Sequence, residues 1–238
     1  SSLQIGTGHV MRCLALANEL KKHGADVSFV MRSLIGHIGD RVTEQGFSVL
    51  WLPQNSKSLP GTELAHSHWL EVSQDQDAID TLGVLPDGFD WLVVDHYSLD
   101  QNWEKRVRES KRCKLLIIDD LADREHSCDL LVDQGENQAL RMRYRTLAPE
   151  ATLMAGSMFA ILRDEFRLER ALGPRVRKEV KRIFVFFGGV DPTNETEKCL
   201  KALAASGVWE RVEVVVGPTN PNAEALRLRY SHLPWMHF

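Results

Sequence analysis

The sequence is short of cysteine, and its cysteines are not paired by pattern. The four of them, Cys13, Cys113, Cys128 and Cys199, include no CxxC, and no Cys/His cluster has zinc-ligand spacing. That argues against a zinc module and against a disulfide framework. Free thiols in a reducing cytoplasm are the simplest expectation. Long apolar runs are missing too: no stretch approaches the roughly 20 residues that span a bilayer, and no signal-peptide pattern opens the chain. The expected setting is therefore cytoplasmic, with no membrane partner. Basic charge is also not in surplus. Twenty-nine Lys and Arg against 33 Asp and Glu give a formal net charge of -4, so no nucleic-acid backbone is expected as a partner. Several catalytic signatures are absent as well: Gly-x-Ser-x-Gly, HExxH, the Walker A loop and the protein-kinase set.

What is present is an alternation. Short apolar, β-rich runs at 26–31, 48–52, 90–95, 114–119, 129–132, 152–155, 182–187 and 213–216 read as strands. Several are nearly continuous, such as Leu115-Leu116-Ile117-Ile118, which suits strands buried on both faces of a parallel sheet. Helical stretches fall between them at 10–23, 38–45, 101–111, 194–205 and 222–230. The first carries Val10, Leu14, Ala17 and Leu20 as an apolar stripe, with Gly24 as its stop. This order predicts an α/β fold of tandem Rossmann-like domains with parallel sheets. Polar residues around Gly173-Pro174 mark a linker at 173–181. The N-terminal domain then covers 1–172. A second domain starts at 182 and reaches 238, too few residues for a whole doubly wound domain of about 100–150, so it is expected to be incomplete. Residues 235–238 read as the start of one more strand.

Three loops draw attention. Ile5-Gly6-Thr7-Gly8-His9-Val10-Met11-Arg12 runs straight into a helix. Glycines let backbone approach a ligand closely, and a helix start offers free N–H groups and the positive end of a dipole, a seat for a diphosphate. Two glycines alone fit an ordinary strand-to-helix turn equally well, and no third glycine completes the dinucleotide fingerprint. His9 shifts the balance, because an imidazole titrates near neutrality and a helix start is a poor place for a core residue. Asp95-His96-Tyr97 and Asp119-Asp120 each end a strand, at the rim where α/β folds bind ligands. Strand-end turns are the plain alternative. Two adjacent aspartates could hold a metal, yet no third ligand has a place, so loop structure or contact with substrate hydroxyls is expected instead. Gly188-Gly189-Val190-Asp191-Pro192-Thr193-Asn194 repeats the first loop's logic before a second helix, and a plain helix cap explains it as well. Arg163 could reach a phosphate, or make a surface ion pair. Gly217-Pro218-Thr219-Asn220 is a further strand-to-helix turn. His23, His66, His68, His126, His232 and His237 carry no spacing that can be interpreted.

Taken in order, these motifs resemble one family. Ser2-Leu3-Gln4-Ile5-Gly6-Thr7-Gly8-His9-Val10-Met11-Arg12-Cys13, Val94-Asp95-His96-Tyr97, Ile118-Asp119-Asp120, Cys128-Asp129-Leu130-Leu131, Phe159 to Phe166 and Phe187 to Asn194 are together similar to the pseudaminic acid pathway UDP-2,4-diacetamido-2,4,6-trideoxy-beta-L-altropyranose hydrolases, also described as spore coat polysaccharide biosynthesis proteins. The similarity covers essentially the whole chain. It implies a GT-B-like fold and metal-independent, cofactor-free hydrolysis of a sugar–UDP bond in a bacterial glycosylation pathway. It implies His9 as the base, with Tyr97 in the same site. Gly6, Gly8, Arg12, Asp95, Asp120, Arg163, Gly188, Gly189, Asp191 and Asn194 are the expected substrate contacts, and the UDP-sugar is the expected partner. Family members begin with a strand ahead of the first loop and continue past Phe238. A glycosyltransferase of the same architecture and a non-catalytic sugar-nucleotide binding fragment are the alternatives.

Overall fold

The computed structural model describes residues 1–2, 5–53, 64–174, 176, 178–207, 209–218 and 220–238. Leu3 and Gln4 of the opening motif, and Thr219 of the third turn, lie outside the described residues. The chain divides into two compact units, Ser1–Ala171 and Leu172–Phe238.

The first unit opens with helix α1 (Gly8–Lys22), followed by β1 (Ser28–Arg32), α2 (Gly39–Glu44) and β2 (Ser48–Leu52). A 3₁₀ turn (Ser67–Trp69) precedes α3 (Gln74–Val84), β3 (Trp91–Val94), α4 (Gln101–Lys111), β4 (Lys114–Ile118) and β5 (Leu130–Asp133). The unit closes with α5 (Gln138–Leu147), β6 (Thr152–Ala155), a second 3₁₀ turn (Ser157–Phe159) and α6 (Asp164–Ala171). The second unit holds β7 (Arg182–Val185), α7 (Glu195–Ser206), β8 (Arg211–Val214), α8 (Ala223–Tyr230) and β9 (Met236–His237).

Every named strand pair is parallel. β1 pairs with β2, the order β3-β4-β5-β6 makes a four-stranded sheet, and β7-β8-β9 makes a third sheet. The α/β class with parallel sheets is thus as the alternation of runs predicts. The continuous run of β4 has the buried environment that such runs need: Leu115, Ile117 and Ile118 are each at most 2% exposed. Leu115 and Ile117 join Val94, Trp103, Val107, Leu131 and Tyr144 in the main core. A smaller core forms where Val10, Leu14 and Ala17 of α1 meet Met31, Val42 and Phe47. Leu20, the last member of the α1 stripe, is exposed.

Three helices, α3, α5 and α6, are missing from the sequence-predicted set. α3 buries Gln74, Asp77 and Asp80 among its few covered residues. The Arg32 guanidinium, at the end of β1, bonds Asp77 at 2.7 Å and Asp80 at 2.8 Å, and Trp103 Nε1 donates to Asp77 at 3.0 Å. Polar anchors therefore seat this helix, and a search for apolar period passes over it. α5 buries Tyr144 fully and packs Leu140 and Leu147 beside it on the main core.

Tyr144 belongs to a buried polar network under the carboxyl end of β4. Its hydroxyl donates to Asp119 Oδ2 at 2.7 Å, the Ala122 N–H donates to the same oxygen at 3.0 Å, and the Arg124 guanidinium lies 2.8 Å from Asp119 Oδ1. His126 Nδ1 is 2.7 Å from Glu104 Oε1, and its Nε2 lies 3.8 Å from Asp119 Oδ2. Burial alone would push the imidazole down, but the flanking carboxylates of Asp119 and Glu104 prevail and raise it to about 9. Asp119 goes the other way: burial pushes it up, and its partners His126, Arg124 and Tyr144 outweigh that and hold it well below the usual range. Because the folded His126 value lies above the ordinary 6.5, its contribution to stability is complete below pH 6.5 and is lost as pH rises through about 9. Stability measured by urea unfolding is therefore expected to fall by on the order of 3 kcal/mol across that window. A His126→Gln variant should be less stable at pH 6 and show little of that slope.

Candidate active site

The glycine loop ends in α1, and α1 begins without a plug. Gly6 takes a left-handed backbone at φ +76°, which glycine adopts without strain. Thr7 precedes the helix but its side chain makes no cap, and Met11 N–H is the first to bond back, to the Thr7 carbonyl. The N–H groups of Gly8, His9 and Val10 thus have no acceptor among the described residues. Thr7 and Gly8 are exposed there.

The first turn of α1 also carries His9 and Arg12, three residues apart and so on one face. Both meet Asp95, which follows β3 directly. His9 Nδ1 lies 2.6 Å from Asp95 Oδ1. Arg12 forks onto the same carboxylate, with Nε donating to Oδ2 at 2.8 Å and Nη2 to Oδ1 at 2.6 Å. The Asp95 side chain is 1% exposed, against 15% for His9. Burial would push Asp95 up, yet the bonds from His9 and Arg12 prevail and hold its carboxyl below the usual carboxylate range. With an ionised carboxylate at Nδ1, that nitrogen carries the imidazole proton and Nε2 keeps the lone pair. The Cys13 thiol also points at Asp95, 3.7 Å from Oδ2, and burial followed by that carboxylate pushes it far up, so it stays protonated.

The arrangement closes on itself through the next strand. Arg12 Nη1 lies 3.5 Å from Asp120 Oδ2, two residues past β4, and Tyr97 Oη donates to Asp120 Oδ1 at 2.5 Å. The Tyr97 ring then returns to His9, with centroids 4.8 Å apart and planes at 80°. Five side chains from three elements form one loop of contacts at the carboxyl ends of parallel strands, where α/β folds hold their ligands. Burial, then the Asp120 carboxylate, pushes the Tyr97 hydroxyl above its ordinary range, so it serves as a donor rather than as an acid near neutrality.

Two residues of this neighbourhood were not legible in the sequence. His66 and Trp69 come from the 3₁₀ turn. The Trp69 ring lies 6.2 Å from His9, 4.4 Å from His66 and stacked at 5.7 Å on Tyr97, and His66 lies 5.4 Å from Tyr97. The buried Ser98 hydroxyl donates to the His66 carbonyl at 2.6 Å and pins the turn beside β3. No motif marks them, since they sit in a mixed stretch, residues 64–72, with no regular period.

The other sequence-predicted residues make contacts within their own units. Arg163 is exposed, with its guanidinium 5.5 Å over the Phe166 ring, and its neighbour Asp164 pairs with Lys22 in the last turn of α1. In the second unit, Gly188 has φ +82°. Gly189 sits so close to Gly217 that a Cβ on Gly217 would stand 2.1 Å from the Gly189 carbonyl oxygen. Asp191 is 4% exposed and accepts from Glu195 N–H at 2.8 Å and Thr196 N–H at 2.9 Å. Its carboxylate therefore fills the start of α7, which α1 leaves open. Asn194 holds a left-handed backbone, and its amide donates to Glu197 at 2.7 Å. Asp119 and Asp120, adjacent in sequence, are divided between the buried network and the site.

Comparison with known proteins gives two relatives. The chain is 28% identical over 222 residues to an uncharacterized protein of Methanocaldococcus jannaschii, covering 91% of this chain and 41% of that protein. It is 26% identical over 228 residues to a UDP-2,4-diacetamido-2,4,6-trideoxy-beta-L-altropyranose hydrolase of Campylobacter jejuni, covering 95% of this chain and 70% of that enzyme. The chain thus spans about two fifths of the length of the first relative and rather more of the second. No family model matches it.

Proposed function

We propose that this chain carries the water-activating site of a nucleotide-sugar hydrolase, acting on a UDP-linked 2,4-diacetamido-2,4,6-trideoxy sugar. The observation that carries this is His9: an imidazole at an open helix start, held by a buried carboxylate so that Nε2 is its basic nitrogen. The relationship to the Campylobacter jejuni hydrolase supports the choice of substrate.

In the proposed step, His9 Nε2 takes a proton from water as the water oxygen bonds to the anomeric carbon. The bond from that carbon to the UDP oxygen breaks, and UDP leaves with the electron pair. The transition state has oxocarbenium character, as in glycoside hydrolysis. Asp95 stabilises the imidazolium that forms, and solvent later takes the proton. The unfilled N–H groups of Gly8, His9 and Val10 suit the charge gathering on the departing diphosphate. Attack opposite the leaving group inverts the anomeric centre. Tyr97 and Arg12 act here by position, holding His9 and Asp95 rather than exchanging protons.

The test is turnover of the UDP-diacetamido sugar by the full-length gene product, followed by phosphorus and anomer-resolved proton NMR. UDP and free sugar of inverted configuration are expected. Sugar appearing only on an added acceptor would assign the site to a transferase, and UDP binding without release of sugar would assign it to a binding module.

A further inference from the structure

We propose that the wall of rings formed by His66, Trp69 and Tyr97 is the seat of the sugar itself, with Trp69 selecting sugars that carry methyl groups where common hexoses carry hydroxyls. This rests on the hydrolase reading of His9 and adds the group that chooses the substrate.

A general base works at hydrogen-bond distance from its water, about 3 Å, and the water lies about as far again from the carbon it attacks. The anomeric carbon therefore falls roughly 6 Å from Nε2. Trp69 and Tyr97 have their ring centres 6.2 Å and 4.8 Å from that of His9, within reach of a sugar placed for attack. The uracil cannot be what they hold, because a ribose and two phosphates separate it from the reacting carbon. The wall is also fixed before a ligand arrives. Trp69 N–H donates to the His66 carbonyl at 2.9 Å, closing the turn that Ser98 pins, and Tyr97 is tied to Asp120. All three rings are half-buried, so each keeps surface to offer. Aromatic faces present large apolar area at little cost in side-chain entropy. A 2,4-diacetamido-2,4,6-trideoxy sugar matches that area with three methyl groups, one at C6 and one on each acetamido arm. Asp120, 36% exposed at the edge of the wall, is left to accept from an amide N–H or a hydroxyl.

The experiment compares wild type, Trp69→Ala and Trp69→Phe in the full-length protein. Each is assayed for KM and kcat on the UDP-diacetamido-trideoxy sugar and on UDP-N-acetylglucosamine, and folding is checked by circular dichroism. Trp69→Ala is expected to raise KM for the first substrate about tenfold, with a smaller change in kcat and narrower preference over the second, and Trp69→Phe to recover most of the loss. Tryptophan emission is also followed while the free diacetamido sugar is titrated; wild type should respond and Trp69→Phe should not. An unchanged KM in a folded Trp69→Ala that still hydrolyses would overturn the wall and leave the hydrolase standing. If wild type turns over neither substrate, the hydrolase reading fails. The emission titration then decides the wall alone: a response carried by Trp69 supports it, and none overturns it. Should Trp69→Ala not fold, Trp69→Leu takes its place.

Discussion

Asp95→Asn is expected to lower kcat about 10³–10⁴-fold, as loss of the orienting carboxylate does in other His–Asp pairs. The amide would present an N–H to His9 Nδ1 and so favour the tautomer whose proton sits on Nε2, turning the basic lone pair toward the protein interior. The same change removes the partner of the Arg12 fork, at a carboxylate only 1% exposed. Breaking such a pair from one side costs about 3 kcal/mol, so the melting temperature should drop as well. The folded Asp95 carboxyl lies below its ordinary value, so its stabilisation is present above that value and is lost as pH falls through the folded one. The Asn variant should accordingly lose part of the wild type's acid sensitivity. Melting curves between pH 3 and 7 measure this. Retained turnover in Asp95→Asn would mean that His9 does not depend on the tautomer it is given.

His9→Gln should cost about 10²–10⁴ in kcat, the usual worth of a general base, with KM nearly unchanged because the imidazole works on water and not on the sugar. Stability should change little, since the Gln amide can still donate to Asp95 and His9 belongs to neither apolar core of the first unit. Adding imidazole to His9→Ala gives a second measure, and partial recovery of rate is the expected outcome. Full activity in either variant would remove His9 from the chemistry and with it the proposed mechanism.

How much of this could be read beforehand depended on whether the signal was local. The glycine loop, the helix it enters and the apolar run of β4 are contiguous in sequence, and each appears where its pattern puts it. Asp95 was visible as a strand-end residue, but its partnership with His9 joins positions 86 apart, and no spacing rule spans that distance. In a one-dimensional reading Arg12 looks like a ligand contact because it is charged and follows the glycine loop, and Asp95 because it ends a strand; in the folded unit they are mainly occupied with each other. His126, without any interpretable neighbours in sequence, turns out to be a buried cation between two carboxylates. Trp69 and His66 are recognisable only once Ser98 has fastened their turn beside β3.

At the start of α7, Asp191 is an anion built into the chain, tethered four residues from the N–H it binds. A ligand on so short a leash acts at a high effective concentration, far above what a free phosphate reaches in solution. That helix end therefore holds two of its N–H groups on an anion of its own chain, whereas no described side chain caps α1. Two stretches that look alike in sequence thus differ by one carboxylate, which the chain supplies at α7 and no described side chain supplies at α1.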